Sequence, residues 1–187
     1  MNNNRVKMII REVIDNYVMD DIEKEIRCVI FDFDLTLVNT LPFKGTDKER
    51  VRQGDMSEME PLIPQTAVYN GIPQLLSYLK QNGIRIGVVS NRHESVVNAT
   101  LRYHGIGVDV VIGERLNCPK SIRIREALQK LGTKPKNAIY VGDSPFDDVE
   151  AMKCGVEFIG ATWGNKKLKM GYNSPDEVVR YVEYMNG

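Results

Sequence analysis

The stretch that most constrains this chain is Cys28-Val29-Ile30-Phe31-Asp32-Phe33-Asp34-Leu35-Thr36-Leu37. It begins as a short apolar, β-branched run, which reads as a buried strand. It ends in two carboxylates one residue apart, and a buried charge needs a partner. At the C-terminal mouth of a parallel sheet those carboxylates face a crevice, where open α/β sheets bind ligands. Residues i and i+2 of a strand share a face, so Asp32 and Asp34 can reach one site. Such a pair suits a divalent metal and acid/base or nucleophilic work. The plain alternative is a strand end with two solvated Asp in a turn.

The order of elements along the chain bears on that choice. Apolar patterning predicts strands at 27–33, 84–89, 108–112, 138–141 and 157–161. Helices are expected at 71–82, 93–104 and 121–131, and from the Gly142-Asp143-Ser144-Pro145 segment to Gly155. Ser174, Pro175 and Glu177 form a start signal for a last helix. Alternation of this kind implies an α/β, Rossmann-like fold: a parallel sheet with helices on both faces and right-handed crossovers. Residues 41–69 interrupt it with polar, Pro-punctuated sequence. Within 47–60 only Val51, Met56 and Met59 are apolar, so a short helix at most is expected, and no separate core. Residues 5–25 read as an amphipathic helix bearing Val6, Ile9, Ile10, Val13 and Tyr17, which packs on the domain or binds a partner. The organisation is then an N-terminal helical extension (1–26) and an α/β core (27–187) with a short insertion at 41–69.

Composition narrows the class. The 187 residues suit one domain. Lys plus Arg and Asp plus Glu are 25 each, which offers no strong nucleic-acid signal and no acidic tail. Cys28, Cys118 and Cys154 lack metal-ligand spacing, and their odd number fits a reducing compartment. The opening Met-Asn-Asn-Asn-Arg lacks the apolar segment of a secretion signal, and no run approaches the roughly 20 residues of a membrane span. A soluble cytoplasmic protein with no membrane partner is expected; a homo-oligomer stays open.

In such a sheet every strand-to-helix loop opens on one edge. Asp32 and Asp34, Ser90 and Asn91, Lys120, and Asp143, Asp147 and Asp148 all fall there. Several carboxylates repel one another unless a cation joins them, and oxygen-only ligands favour Mg²⁺ with a substrate phosphate. The Ser90 hydroxyl, with Asn91 beside it, and the Lys120 ammonium can bind phosphate oxygens. This set suits phosphoryl transfer, with a carboxylate attacking phosphorus and water splitting the acyl phosphate.

The chain resembles the haloacid dehalogenase-like phosphatase superfamily, and within it phosphoglycolate-phosphatase-like members. The resemblance rests on Asp32-Phe33-Asp34-Leu35-Thr36, on Ser90 ending Val88-Val89-Ser90-Asn91, and on Gly142-Asp143-Ser144-Pro145-Phe146-Asp147. Ala161-Thr162-Trp163-Gly164 and Ser174-Pro175-Asp176-Glu177 also look like that subgroup. It implies a Mg²⁺-dependent phosphomonoester hydrolase acting on a phosphorylated substrate, small or bulkier. Asp32 would be nucleophile and metal ligand. Asp34 would be general acid/base, with its carbonyl on the metal. Asp143 would complete the metal site and Asp147 would support it, directly or through water; the alternative for Asp147 is a residue that favours the helix N-terminus. Thr36 would order the loop by hydrogen bonds, and Asp148 would cap the helix or face solvent. The chain departs from the subgroup in two places. Cys118-Pro119-Lys120-Ser121 stands in place of Lys-Pro-x-Pro, with a shorter spacing to the Gly142-Asp143 motif than in that subgroup, so Arg123 is the alternative to Lys120. Residues 41–69 are too short for the helical cap, which implies an open site. A phosphoacceptor receiver domain and a non-catalytic phosphate-binding protein are the competing readings.

Overall fold

The computed structural model describes residues 25–187. Of the helix expected over 5–25, only Glu25 lies within the described residues. Cys28–Phe31 form β1, and all four side chains are fully buried because helices cover both faces of the strand. Successive side chains alternate. Val29 and Phe31 enter the apolar cluster on one face of the sheet, and Cys28 and Ile30 enter that on the other.

The elements that follow are β2 (Val38–Asn39), α1 (Lys48–Arg52), β3 (Ala67–Val68), α2 (Ile72–Gln81), β4 (Arg85–Val89), α3 (Glu94–Tyr103) and β5 (Val110–Ile112). After them come α4 (Lys120–Lys130), β6 (Ala138–Gly142), α5 (Pro145–Met152), β7 (Glu157–Gly160) and α6 (Pro175–Asn186). β5, β4, β1, β6 and β7 lie side by side in that order, all parallel. Counted along the chain, the order is 3-2-1-4-5. It reverses between β1 and β6, and a crevice opens at such a switch point. A receiver domain would need the flavodoxin-like order 2-1-3-4-5, which this sheet does not have.

The ends of the elements differ from the sequence expectation for local reasons. β5 starts at Val110 rather than Val108, because the Asp109 carboxylate accepts the Ile86 N–H at 2.7 Å in place of a ladder carbonyl. α6 starts at Pro175 as expected, yet the Ser174 hydroxyl makes no capping bond; its carbonyl accepts from Glu177 N at 3.1 Å. β2 and β3 were not legible at all. They form an antiparallel two-residue pair, Val38 opposite Val68 and Asn39 opposite Ala67, too short to show a period.

That pair brings the two ends of the 41–69 segment together. Between them, Phe43, Val51, Met59 and Ile63 are buried in the same cluster as Phe31, Phe33, Val96 and Val97, and Met56 and Leu62 pack against it. Polar contacts add to this: Arg52 pairs with Glu114 at 2.9 Å, Lys48 Nζ donates to the Asn91 carbonyl at 3.3 Å, and Thr66 Oγ1 lies 2.7 Å from His104 Nε2. The segment has no core of its own but borrows that of the sheet.

Met59 is 1% exposed. Met59→Ala is expected to lower unfolding stability by about 2–5 kcal/mol in urea denaturation, as for core truncations elsewhere. A loosely lying flap would show almost no change.

Candidate active site

Asp32 is the first residue beyond β1. Its amide donates to Val141 O at 2.8 Å, which extends the pairing with β6 and delivers the carboxylate, 5% exposed, to the switch point. Lys120 is the first residue of α4 and is 2% exposed. Its Nζ donates to Asp32 Oδ1 at 2.7 Å and Asp147 Oδ1 at 2.5 Å, and lies 5.4 Å from the centre of the Tyr140 ring. Burial alone would weaken its hold on the proton. The carboxylates of Asp32 and Asp147 outweigh that and keep the ammonium charged.

Asp147 serves the helix and the site at once. The Ser144 hydroxyl accepts from Asp147 N at 3.3 Å, and Asp147 Oδ2 accepts from Ser144 N at 3.2 Å, a full capping box for α5. The other oxygen takes Lys120. Gly142 is needed here, because a Cβ at 142 would lie 2.8 Å from the Asp147 side chain.

Carboxylate oxygens of Asp32, Asp143 and Asp147 all lie within 4.8 Å of one another. Burial, with the negative charge of Asp147, pushes Asp143 up to about 6. Burial also raises Asp32 to about 7, with Asp147 and Asp34 adding to the rise and Lys120 opposing it. One ammonium thus faces three carboxylates that present only oxygen donors, and this set fits a hard divalent cation. Asp32 and Asp143 can hold it directly. Asp147 has both oxygens engaged, one by Lys120 Nζ and one by Ser144 N.

Asp34 sits on the far side of a tight turn. Leu35 has φ 54°, its amide donates to Val38 O at 2.9 Å, and Trp163 Nε1 donates to Thr36 O at 2.9 Å. Gly164 packs against this turn so closely that a Cβ there would lie 1.5 Å from Leu35 O. The Thr36 hydroxyl is buried with no hydrogen-bond partner among the described residues, so the main chain orders the loop, contrary to the expectation for that side chain. The half-buried Asp34 carboxylate accepts from Thr40 Oγ1 at 2.6 Å and Arg92 Nε at 2.9 Å. Neither partner was singled out from sequence. Both are ordinary loop residues until the fold brings them to Asp34.

Ser90 is fully buried; its Oγ accepts from Arg92 N at 3.0 Å and lies 3.5 Å from Asp34 Oδ2. Arg123, the alternative to Lys120, does not reach the carboxylates. It bonds the Ser90 carbonyl through Nη1 and Asn91 Oδ1 through Nη2, the latter at 2.6 Å, and so braces the loop after β4. Asp148 is exposed. A cavity of about 520 Å³ adjoins the site, its lining including Asn91, Leu116, Lys120, Arg123 and Phe146.

The sheet order and the acidic crevice at its switch point define a Rossmann-like α/β protein. A sequence model of haloacid dehalogenase-like hydrolases matches residues 46–161, and the chain belongs to that family. The match takes in Ser90, Lys120, Asp143 and Asp147 and begins after Asp32 and Asp34. A phosphoglycolate phosphatase of Rhodospirillum rubrum is 36% identical over 103 residues, 52% of this chain and 43% of that protein. A putative pyrophosphatase PpaX of Clostridium perfringens is 25% identical over 212 aligned positions, 86% of this chain and 99% of that one. The chain thus spans less than half the length of the first relative and nearly all of the second. Among solved structures, a predicted phosphatase from Clostridium acetobutylicum superposes with TM-score 0.70 at 22% identity, covering 86% of this chain and 99% of its own. A haloacid dehalogenase-like family hydrolase from Streptococcus pneumoniae gives 0.67 at 21%, covering 83% and 98%. Both share the fold. No helix among the described residues is long and apolar enough to cross a membrane.

The raised carboxylates make a pH prediction. Ordinary Asp titrates near 3.8, whereas folded Asp32 and Asp143 titrate near 7 and 6. Between those values the folded chain keeps protons that the unfolded chain has released, so these groups lower stability as pH rises through that window. In chelator-treated protein, Tm by calorimetry is expected to fall from about pH 5 to about pH 8, less steeply in Asp143→Asn, and millimolar Mg²⁺ should restore it at the higher pH. A Tm that climbs across that range, indifferent to Asp143→Asn and to Mg²⁺, contradicts this account.

Proposed function

We propose that this chain is a Mg²⁺-dependent phosphomonoester hydrolase that works through an aspartyl-phosphate. The observation that carries the reading is the buried Lys120 ammonium joining Asp32 to Asp147 beside Asp143. Family membership supports it.

In the first half-reaction an oxygen of Asp32 attacks phosphorus, the bond from phosphorus to the leaving oxygen breaks, and Asp34 gives that oxygen a proton. An acyl phosphate is left on Asp32. In the second, Asp34 takes a proton from water as the water oxygen attacks phosphorus; the Asp32–phosphorus bond breaks and inorganic phosphate leaves. Lys120, Ser90 and Asn91 hold the phosphoryl oxygens, and Lys120 also offsets charge on Asp32. Mg²⁺, held by Asp32, Asp143 and the Asp34 carbonyl with Asp147 in support, would neutralise charge building on the phosphoryl group. We assign residues 27–187 to the hydrolase core and 41–69 to a short cap-like insertion within it. The names of the relatives make 2-phosphoglycolate and pyrophosphate the first substrates to test.

The deciding experiment measures hydrolysis of these compounds and of p-nitrophenyl phosphate. Asp32→Asn keeps the shape and removes the attacking charge, so kcat is expected to fall at least about 1000-fold with folding retained. Excess EDTA should abolish activity and Mg²⁺ restore it. Near-normal turnover in Asp32→Asn, or full activity in EDTA, would rule the mechanism out. A single phosphorylation without turnover would favour a receiver-like role.

A further inference from the structure

Arg92 lies in the loop between β4 and α3, two residues past Ser90. Its guanidinium grips one oxygen of Asp34 from two positions, Nε at 2.9 Å and Nη2 at 2.8 Å from Oδ1. Thr40 Oγ1 donates to the same oxygen at 2.6 Å. The guanidinium in turn rests on Phe43 of the 41–69 segment, its Cζ 4.9 Å from the ring centre, and that ring is 2% exposed. Its main-chain N–H holds Ser90 Oγ. Two hydrogen-bond donors, Thr40 Oγ1 and Arg92 Nε, therefore converge on Oδ1, with Nη2 in ion-pair contact with the same oxygen. Oδ2 keeps only a long contact with Ser90 Oγ, 3.5 Å, among the described residues. A half-buried Asp carboxylate on its own swings freely about its last torsion. A planar guanidinium stacked on an aromatic ring is a rigid stop for it.

We propose that Arg92 is a positioning residue: it clamps Oδ1 of Asp34, so that Oδ2 is the oxygen that hands the proton to the leaving group, and Phe43 makes that clamp depend on the docked 41–69 segment. This rests on the acid/base role given to Asp34 above. Proton transfer needs the acid within hydrogen-bond reach of the oxygen it protonates, and it matters most where the leaving group is a poor one.

The test compares kcat/KM, which reports the phosphoryl-transfer step, on two leaving groups. p-Nitrophenol leaves with little help, whereas an alkyl alcohol such as that of 2-phosphoglycolate or phosphoserine needs a proton. In the full chain, Arg92→Met is expected to lower kcat/KM about 100-fold on the alkyl ester and less than about 5-fold on the aryl ester, through kcat rather than KM. Arg92→Lys should recover part of the alkyl activity, and Phe43→Leu should show a smaller loss with the same selectivity. If Arg92→Met does not fold, those two variants carry the same ratio. Equal losses on both esters, or none on either, would overturn the clamp, as would a wild type that hydrolyses only the aryl ester. A wild type inactive on every ester would instead sink the phosphatase reading, and the clamp with it.

Discussion

A single ammonium group, that of Lys120, joins carboxylates that stand 88 and 27 residues away in sequence. Burying that charge, or either carboxylate, without the others would cost several kcal/mol per ion. The arrangement therefore tolerates few alternatives. β1 must end where Asp32 meets Val141, α4 must begin at Lys120, and α5 must begin so that its third residue turns back both to Ser144 and to the lysine. The capping box is what makes the last of these cheap. One oxygen of Asp147 completes a helix start that would form anyway, and the other is left for the site.

What the sequence made legible follows from how far each signal reaches along the chain. Strand and helix identity is written in runs of neighbouring residues, so the β1 run, the helices expected over 71–82 and 93–104 and the Ser174-Pro175 start could be read directly. The edge that carries Ser90, Lys120, Asp143 and Asp147 followed from alternation alone, because a parallel sheet sends every strand-to-helix loop to one side. Arg92 was invisible for the opposite reason. Nothing local distinguishes it from other loop arginines, and its meaning comes from meeting Asp34 across 58 residues. Thr36 misled in the reverse sense: a Thr in a catalytic loop suggests a hydroxyl at work, whereas its carbonyl takes the bond from Trp163. The β2–β3 pair is only two residues long on each side, below the length at which a period exists.

The 41–69 segment shows how little apolar surface an insertion needs when the host supplies the other half of the contact. Phe43, Val51, Met59 and Ile63 are spread over 21 residues, too sparse to build a core among themselves. They share one buried cluster with Phe31, Phe33, Val96 and Val97 of the host. The price is loss of independence, since such a segment cannot swing as a separate lid without exposing those side chains. Its grip on the site is correspondingly direct, through Phe43 under the Arg92 guanidinium that holds Asp34.

The close seat of Gly164 against Leu35 has a temporal side. A ribosome releases the chain N-terminal end first, so Asp32 and Asp34 emerge early, in a segment whose turn holds Leu35 at an unfavourable positive φ. The Trp163 indole and the Gly164 backbone that bear on this turn emerge about 130 residues later, as does Asn165, whose amide donates to the Asp143 carbonyl. Until then the acidic loops lack their backstop. In chain order the Asp32–Asp34 turn therefore gains its packing only after the edge strand β7 has been made.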